Sequence, residues 1–412
     1  MINNKKLLSC LTDKVSKTLG SLTLTLAAIG YGTLPAQAVN FNITYGSNVT
    51  YEQKVSTKLA ANIWSNHLAD PITVNIHVDM ADNSDLPTNV IGGSLPAFLT
   101  NYNYNSFYNK LQQDRVSNDD YSAVNSLDSG SNWYAWNSGN LDNSNTINMT
   151  RANAKAIGVI DADNSALDAA IVMNNLNGTG VSWQYDYLSS AVGSNQLDFT
   201  SVMIHEIGHA LGFVSSLDAY SYTDYHSGFD EEEYNIQDDT GRTKLRQNWT
   251  TMDLFRYYTT INSSINKGLW YGDHSYKYSL DEDANSSGIA VGGQNSYQYL
   301  SIDGGTNSLA FLANGSDTSI GGDGYQASHY RNDLDAGIMD PVLELNTRRY
   351  LESNGIDLRL FDAIGWDRQS GSADLVTLQN NAESEVNNAA NVDNNQVLNK
   401  LEELFNQYGW GG

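Results

Sequence analysis

The sequence predicts a mixed α/β (α+β) fold, and three observations carry that prediction. An alternating apolar pattern at 41–45 is followed by a helical pattern, and a second alternating stretch covers 72–78. Strand, helix and strand in succession are typical of α/β proteins. A third apolar stretch, at 168–174, has the length of a further strand, and a helical pattern follows it at 198–212. We therefore expect a sheet with helices packed against it.

Length and composition indicate a folded chain behind a secretory signal. The 412 residues are 40% apolar, enough for one large domain or two closely packed subdomains. Four lysines, an apolar run from Leu19 to Leu34 and an A-x-A sequence at 36–38 together resemble a signal peptide spanning residues 1–38. The apolar run is short and contains glycines, so a membrane anchor is less favoured. We expect a secreted protein without membrane insertion after cleavage.

Charge and cysteine content narrow the possible partners. Loss of residues 1–38 removes four lysines and one aspartate, which lowers the formal net charge from −25 to −28. Such a surface repels nucleic acid and anionic membranes, so we expect neither as a partner. The single cysteine, Cys10, lies within the predicted signal. The mature chain must then fold without disulfides.

The first elements have clear local signals. Thr50 to Gln53 has the spacing of a helix capping box, and three apolar residues then recur at helical spacing: Val55, Leu59 and Ile63. In the strand at 72–78 apolar and polar residues alternate, which predicts one buried and one polar face. His77 falls on the polar face and His67 just past the helix, so we expect neither to take part in chemistry.

The middle of the chain gives weaker signals. Residues 81–147 have poor periodicity and are predicted as loops and short elements; 150–158 is predicted helical and 159–161 extended. The strand at 168–174 has Ala170, Ile171, Val172 and Met173 at its centre. Calcium (Ca²⁺) is a possible second ion, because carboxylates suit it, but the spacing of Asp161, Asp163 and Asp168 fits no known loop. Solvated turn acids are the favoured interpretation.

The second half is predicted to be more irregular. It has a helical signal at 251–257, a hairpin turn at 303–305 and a helix at 357–364 that ends before Gly365. The tail from 369 to 412 is rich in asparagine and has one amphipathic helical pattern, formed by Val397, Leu401, Leu404 and Phe405.

The most specific pattern is H-E-x-x-H at 205–209. On a helix, His205 and His209 lie one turn apart on one face, so both imidazoles can reach one Zn²⁺. Glu206 lies about 100° further round the helix, where it can reach a water on the metal. Asp198 or Thr200 can cap this helix and Gly212 can end it, while its apolar side is formed by Val202, Ile207 and Leu211. The alternative is an amphipathic helix with two solvated histidines.

Hydrolysis at zinc requires a third protein ligand. The position six residues after His209 is Ser215, which cannot serve, and the other candidates are His226, His274, His329, Glu231, Glu232 and Glu233. The glutamates are far enough along the chain to lie on a second helix, but beside Asp230 they resemble a solvated acidic run. His329 follows Ser328 and comes ten residues before Met339, which is followed by Asp340 and Pro341.

These ordered features resemble the metzincin metalloproteases. The resemblance rests on H-E-x-x-H-A-L-G-F, a distant Ser-His-aromatic, a methionine in a tight turn before proline and a helix ending in Leu-Phe-Asp-Ala-Ile-Gly-Trp. It is nearest to the leishmanolysin-like branch and similar bacterial exported proteases, in which an insertion precedes the third histidine. It is sharp over 198–215 and 325–366 and absent in the tail. Ser215 and the missing disulfides depart from the family pattern.

The resemblance implies a site and a domain layout. His205, His209 and His329 would bind one zinc, Glu206 would be the base, and Met339 would form the turn beneath the metal. A twisted mixed sheet and the active-site helix would form an N-terminal subdomain at 39–215. A more irregular C-terminal subdomain would span 216–368.

The expected function is peptide-bond hydrolysis by a secreted zinc endopeptidase acting on protein or peptide substrates. The strand formed by Ala170, Ile171, Val172 and Met173 is expected to hold an extended substrate on its edge. Two alternatives stay open. One is a zinc hydrolase with Glu231, Glu232 or Glu233 as third ligand, and the other is a non-catalytic acidic binding or adhesive protein.

Overall fold

The computed structural model describes residues 38–219 apart from 88 and 138–139, then 249–260, 296–313, 315, 323–332, 335–353 and 355–388. Within these residues seven helices and several sheets confirm the mixed α/β prediction. Several predictions lie outside the described residues: the signal peptide up to residue 37, His226, His274, Glu231, Glu232, Glu233 and the helical pattern at 397–405. In the described part, no helix combines the length and the apolar character needed to span a bilayer.

The described helices are α1 (Tyr51–Ser65), α2 (Tyr104–Asp114), α3 (Asn118–Ser126), α4 (Arg151–Ala156), α5 (Phe199–Leu211), α6 (Ile356–Ala363) and α7 (Leu375–Asn388). The described strands are β1 (Asn40–Tyr45), β2 (Thr73–Ala81), β3 (Gly92–Pro96), β4 (Phe98–Asn103), β5 (Trp133–Asn137), β6 (Asn140–Ser144), β7 (Thr146–Thr150), β8 (Ala169–Asn174), β9 (Ser182–Gln184), β10 (Gln196–Asp198), β11 (Arg256–Thr260), β12 (Ser296–Leu300) and β13 (Ala310–Leu312).

The largest described sheet has the strand order β1-β2-β8-β3. The pairs β1–β2 and β2–β8 are parallel, and β3 runs antiparallel to β8. Parallel neighbours need a crossover connection, and α1 supplies the one between β1 and β2. The predicted strands at 41–45, 72–78 and 168–174 are therefore confirmed as neighbours in one sheet.

The prediction of a polar face on β2 is wrong. From Val74 to Ala81 every residue of the strand is buried, and His77 has no exposed surface. An interior parallel strand is covered on both faces, so its polar side chains find partners inside the protein. The Nδ1 atom of His77 lies 2.9 Å from Thr44 Oγ1 on β1.

Helix α1 begins with the predicted capping box. The backbone N–H of Thr50 donates to Gln53 Oε1 at 2.8 Å, and the N–H of Gln53 donates to Thr50 Oγ1 at 3.4 Å. The predicted apolar face is buried, and Trp64 at the end of the helix donates from its indole N–H to Ile204 O at 2.9 Å. That bond ties α1 to α5.

The prediction of loops and short elements across 81–147 is confirmed for strands of five or six residues, but it missed two helices. The segment contains α2 and α3, whose polar residues obscured the helical period, but whose ends have ordinary side-chain caps. Asn103 accepts from the N–H of Ser106, and Ser117 accepts from that of Asp120. Each helix still buries one apolar face, made of Tyr104, Phe107, Leu111, Ala123 and Val124.

Around 150–168 the local predictions have mixed outcomes. Helix α4 is confirmed, with Thr150 as its cap, but 159–161 forms bends and not a strand. Asp168 is not a solvated turn acid: it is fully buried and pairs with the Lys155 ammonium at 2.5 Å. A buried charge needs such a partner, so the Asp168 carboxylate is already paired inside the core and does not face solvent. Asp161 and Asp163 are exposed.

In the second half the hairpin and the late helix are confirmed. β12 and β13 are antiparallel, and Gly304 and Gly305 in the connection have positive φ angles of 74° and 81°. α6 ends before Gly365, whose φ is 97°. The signal at 251–257 is a short 3₁₀ turn at Met252–Phe255 that leads into β11, so a longer helix there is wrong. α7 lies in the tail, where no helix at 375–388 is predicted, and it packs on α1.

Candidate metal centre

Helix α5 carries the first two histidines in a rigid setting. Asp198 caps the start of the helix by accepting a hydrogen bond from the N–H of Ser201 at 2.8 Å. The same carboxylate forms a salt bridge with the Arg348 guanidinium at 2.8 Å. Gly212 ends the helix with a φ of 140°. Of the 13 residues, all except His205 are buried. The alternative of an amphipathic helix with two solvated histidines is therefore wrong.

The fold brings the three predicted histidines together. His205 Nε2 lies 3.0 Å from His209 Nε2 and 3.2 Å from His329 Nε2. Within the described residues these three form a group of side chains that could hold a metal ion, with ligand atoms all within 4.8 Å of one another. His329 lies more than a hundred residues after His209 in the sequence.

Hydrogen bonds define the tautomer of each ring. The three Nδ1 atoms lie 2.8 Å, 2.7 Å and 3.1 Å from the backbone oxygens of Ile338, Phe213 and Gln326, for His205, His209 and His329 respectively. A carbonyl oxygen can only accept, so each neutral ring carries its hydrogen on Nδ1. The Nε2 lone pair of His205 then lies about 3 Å from those of His209 and His329, an arrangement that a cation between the three rings would stabilise.

Burial keeps these rings neutral. It lowers the pKa of His205 to about 4 and that of His209 to about 3, and it lowers the pKa of His329 well below the usual value. The hydrogen bonds to carbonyl oxygens act in the opposite direction and are the smaller effect. Neutral imidazole is the form that coordinates a metal, so the site is ready for ligation at neutral pH.

Glu206 lines the same cleft as the histidines and has 5% of its surface exposed. Burial raises the pKa of its carboxyl to about 8. Gly92 on β3 makes room for it, since a Cβ atom there would lie 3.0 Å from Glu206 Oε1. The carboxyl group therefore stands beside the histidine cluster in an apolar setting, where it can exchange a proton.

Met339 lies in a tight turn against α5. It is fully buried, and a Cβ atom added to Gly208 would lie 2.5 Å from its sulfur. The N–H groups of Ile338 and Met339 donate to the Asp357 carboxylate at 3.1 Å and 3.4 Å. Because Ile338 O is also the partner of the His205 ring, this turn supports the first histidine from below.

The cleft beside the cluster has a volume of about 540 Å³. Its lining includes residues 89–94 and Pro96 from the region of β3, and Pro341, Val342 and Leu343 from the segment after Met339. Arg349 also lines it, with its guanidinium 2.8 Å from Asp340. The space can accept an extended chain with one or two side chains inserted.

The predicted substrate strand is the wrong strand. β8 lies between β2 and β3, and its residues Ala170, Ile171, Val172 and Met173 are at most 1% exposed. Because β8 is hydrogen-bonded to a neighbour on each side, it has no free edge for a substrate. Its continuous apolar run is typical of such an interior strand. The strand at the end of the described sheet beside the cleft is β3.

Sequence reasoning did not single out β3, Asp357 or Arg349. β3 begins with two glycines and lacks alternation, and the charged residues act through contacts between distant segments. No local pattern identifies them.

Comparisons of this chain with protein-family models, with curated proteins and with solved structures found no match, so the resemblance to metzincins stays a prediction.

Proposed function

We propose that the protein is a secreted zinc endopeptidase of the metzincin type, with His205, His209 and His329 as ligands and Glu206 as the general base. The observation that supports this most strongly is the convergence of three neutral imidazole nitrogens beside a buried carboxyl group in one open cleft. Export is proposed from the sequence of residues 1–38 alone.

The donor set suits zinc. Bonds of about 2.0–2.1 Å in a tetrahedron hold two ligand nitrogens about 3.3 Å apart. The observed separations of 3.0 Å and 3.2 Å need only a slight expansion to reach that value. Three nitrogen ligands with one position open to a cleft are typical of catalytic zinc, whereas structural zinc has four protein ligands.

Bound zinc would supply an acidic water, with a pKa of about 7, and would polarise the scissile carbonyl group. Glu206 would take a proton from that water and pass it to the leaving amine. Its burial suits both roles, because a carboxyl pKa raised to about 8 lets the group hold a proton near neutral pH. A metal ion nearby would lower this pKa and favour the base form at the start of the reaction.

We place the substrate on β3. An extended peptide can add to the end of a sheet through main-chain hydrogen bonds, and β3 ends the described sheet next to Glu206. Val342 and Leu343, which line the same cleft, would receive an apolar side chain of the peptide.

Zinc content and casein cleavage test the proposal. The mature wild type should bind one zinc per chain, and Glu206→Gln should keep the zinc but lose about 10²- to 10⁴-fold in rate. His329→Ala should lose both zinc and cleavage. Glu206→Gln leaves the ligands intact and so serves as the matched control for His329→Ala.

Three results would contradict the proposal in different ways. Full zinc in His329→Ala would favour a glutamate as third ligand. No zinc in the wild type would favour the non-catalytic binding protein. Casein cleavage at the wild-type rate by Glu206→Gln would exclude the assigned base.

A further inference from the structure

The loop that carries His329 is attached to the segment that follows α5 by a carboxylate. Asp218 lies in a 3₁₀ turn at Ser216–Ala219, near the point where the described chain breaks off at 219, and it lines the cleft. This residue has no part in the H-E-x-x-H pattern and no place among the proposed ligands.

Both carboxylate oxygens of Asp218 accept hydrogen bonds from the loop that carries His329. The N–H of Ala327 donates to Oδ1 at 2.5 Å, and the N–H of Ser328 donates to Oδ2 at 2.8 Å. The Ser328 hydroxyl also donates to Oδ2. Three donors from the two residues directly before His329 thus meet one carboxylate.

The Ser328 hydroxyl extends this contact to the end of α5. It accepts from the N–H of Ser215 at 2.8 Å, so the segment after His209 and the segment before His329 are joined through one side chain. Ser215 is the position at which the compact ligand spacing would have placed a third histidine. In this protein Ser215 instead helps to hold His329, through its hydrogen bond to Ser328.

A buried arginine also holds this loop. Arg256 has no exposed surface, and it donates to Ala327 O at 2.6 Å and to Ala313 O at 3.1 Å. The N–H of Ala313 in turn donates to His329 O at 3.0 Å. The backbone around His329 is therefore fixed by charged and backbone partners, and the Asp218 carboxylate accepts from the two backbone N–H groups directly before it.

We propose that Asp218 is a positioning residue for the third metal ligand. Its carboxylate orders residues 327–328 so that the His329 ring reaches the other two rings without rearrangement. A preformed third ligand raises metal affinity, because less conformational freedom is lost on binding. This inference rests on the proposed zinc site and adds to it a residue that contacts neither metal nor substrate.

An amide cannot replace this carboxylate. Asn at 218 would keep one acceptor oxygen, but its NH₂ group would face an N–H of the loop, so that two donors would meet. The loop would lose at least one hydrogen bond and gain a repulsive contact. Loss of a partner that orients a metal ligand typically costs about 10- to 100-fold in metal affinity.

The test measures zinc affinity of the full mature chain by competition with a chelator. Asp218→Asn should bind zinc about 10- to 100-fold more weakly than wild type. Ser328→Ala removes the hydroxyl that donates to Asp218 and accepts from Ser215, and it should weaken binding by about fivefold or more, since the loss of one ordinary hydrogen bond alone has about that effect. With Co²⁺ in place of zinc, the visible absorption bands of Asp218→Asn should differ from those of wild type.

Asp120→Asn is the matched control. Asp120 also accepts two backbone N–H groups, from Val116 at 2.9 Å and Ser117 at 2.8 Å, but it lies at the start of α3. It should lower thermal stability without changing zinc affinity or the cobalt spectrum. A purely structural role for Asp218 predicts the same behaviour in both variants.

Each outcome decides a different point. Wild-type zinc affinity in Asp218→Asn would overturn the inference and leave the zinc site standing. If that variant does not fold, unchanged affinity in Ser328→Ala overturns the inference instead. A wild type that binds no zinc would overturn the proposed function itself.

Discussion

Gly208 is the residue of α5 that lets the methionine turn come close. A Cβ atom there would lie 2.5 Å from Met339 Sδ and 3.4 Å from Trp64 Cζ2, well inside normal contact for the sulfur. The absence of a side chain therefore sets the distance between α5 and the turn. Because Ile338 in that turn holds the His205 ring, spacing at Gly208 affects the metal site.

Gly208→Ala should destabilise the protein by up to about 2 kcal/mol. Alanine gains about 1 kcal/mol in helix propensity, but overpacking against Met339 costs about 1–3 kcal/mol. Chemical denaturation measures the net change. In a Met339→Ala background the space is open, so the same substitution should cost nothing or stabilise. Equal destabilisation in both backgrounds would show that Met339 is not the obstacle.

At the scale of elements, α1 is held between two helices. α5 packs on it through the Trp64 to Ile204 hydrogen bond, and α7 packs on it from the tail. α7 buries Leu378 and Ala382, while Lys58 on α1 pairs with Glu385 at 2.6 Å. The tail helix α7 therefore supports α1, and α1 in turn supports α5, which carries His205 and His209.

Leu378→Ala should lower the free energy of unfolding by about 2–4 kcal/mol, because it leaves a cavity between α7 and α1. Val376→Ala is the control on the same helix: its side chain is 55% exposed, so the change should stay within about 0.5 kcal/mol. Thermal or urea unfolding distinguishes them. Equal stability of the two variants would mean that α7 does not contribute to the fold.

At the scale of the whole molecule, acidic residues meet at a seam between early and late parts of the chain. Gln369 N–H donates to His67 O at 2.9 Å, and Asp367 N–H donates to the Asp70 carboxylate at 3.0 Å. Burial, and then the charge of Asp367, raises the pKa of Asp70 to about 8 and that of Asp114 to about 7. The folded state therefore binds protons at Asp70 and Asp114 more tightly than the unfolded chain does.

The contribution of Asp70 to stability should fall as pH rises from about 5 to 8. The pKa of an aspartate in the unfolded chain is about 4, so the stabilising contribution of Asp70 is complete below that pH and is lost as pH rises through about 8. Each such group contributes at most about 1.4 kcal/mol per pH unit. Unfolding of the zinc-saturated protein in urea across this range measures the slope.

Asp70→Asn tests the assignment, because its neutral amide resembles the protonated acid and can still accept from Asp367 N–H. The difference in stability between Asp70→Asn and wild type should shift in favour of the variant as pH rises toward about 8. Asp161→Asn, at an exposed turn position, matches the loss of one negative charge. Parallel curves for wild type and Asp70→Asn would contradict the assignment.

Elements marked by a pattern within a few neighbouring residues could be predicted from the sequence alone. The capping box at Thr50 and the cap of α5 at Asp198 are local patterns of a few residues, and both are confirmed. The strand at 72–78 is also confirmed, although the polar face that its alternation predicted is buried. A local pattern is also enough for His205 and His209, since helical geometry alone puts residues four apart on one face. Selection of His329 depended on the resemblance, and the fold brings it to the other two.

Which strand edges are free and which charges are paired depends on tertiary contacts, so the sequence could not predict either. β8 was a convincing strand, but its neighbours β2 and β3 make it interior, and β3 has no sequence signal of its own. The roles of Asp218 and Asp357 come from partners more than a dozen residues away. Burial, strand order and long-range hydrogen bonds depend on which distant segments meet, and no local pattern of residues contains that information.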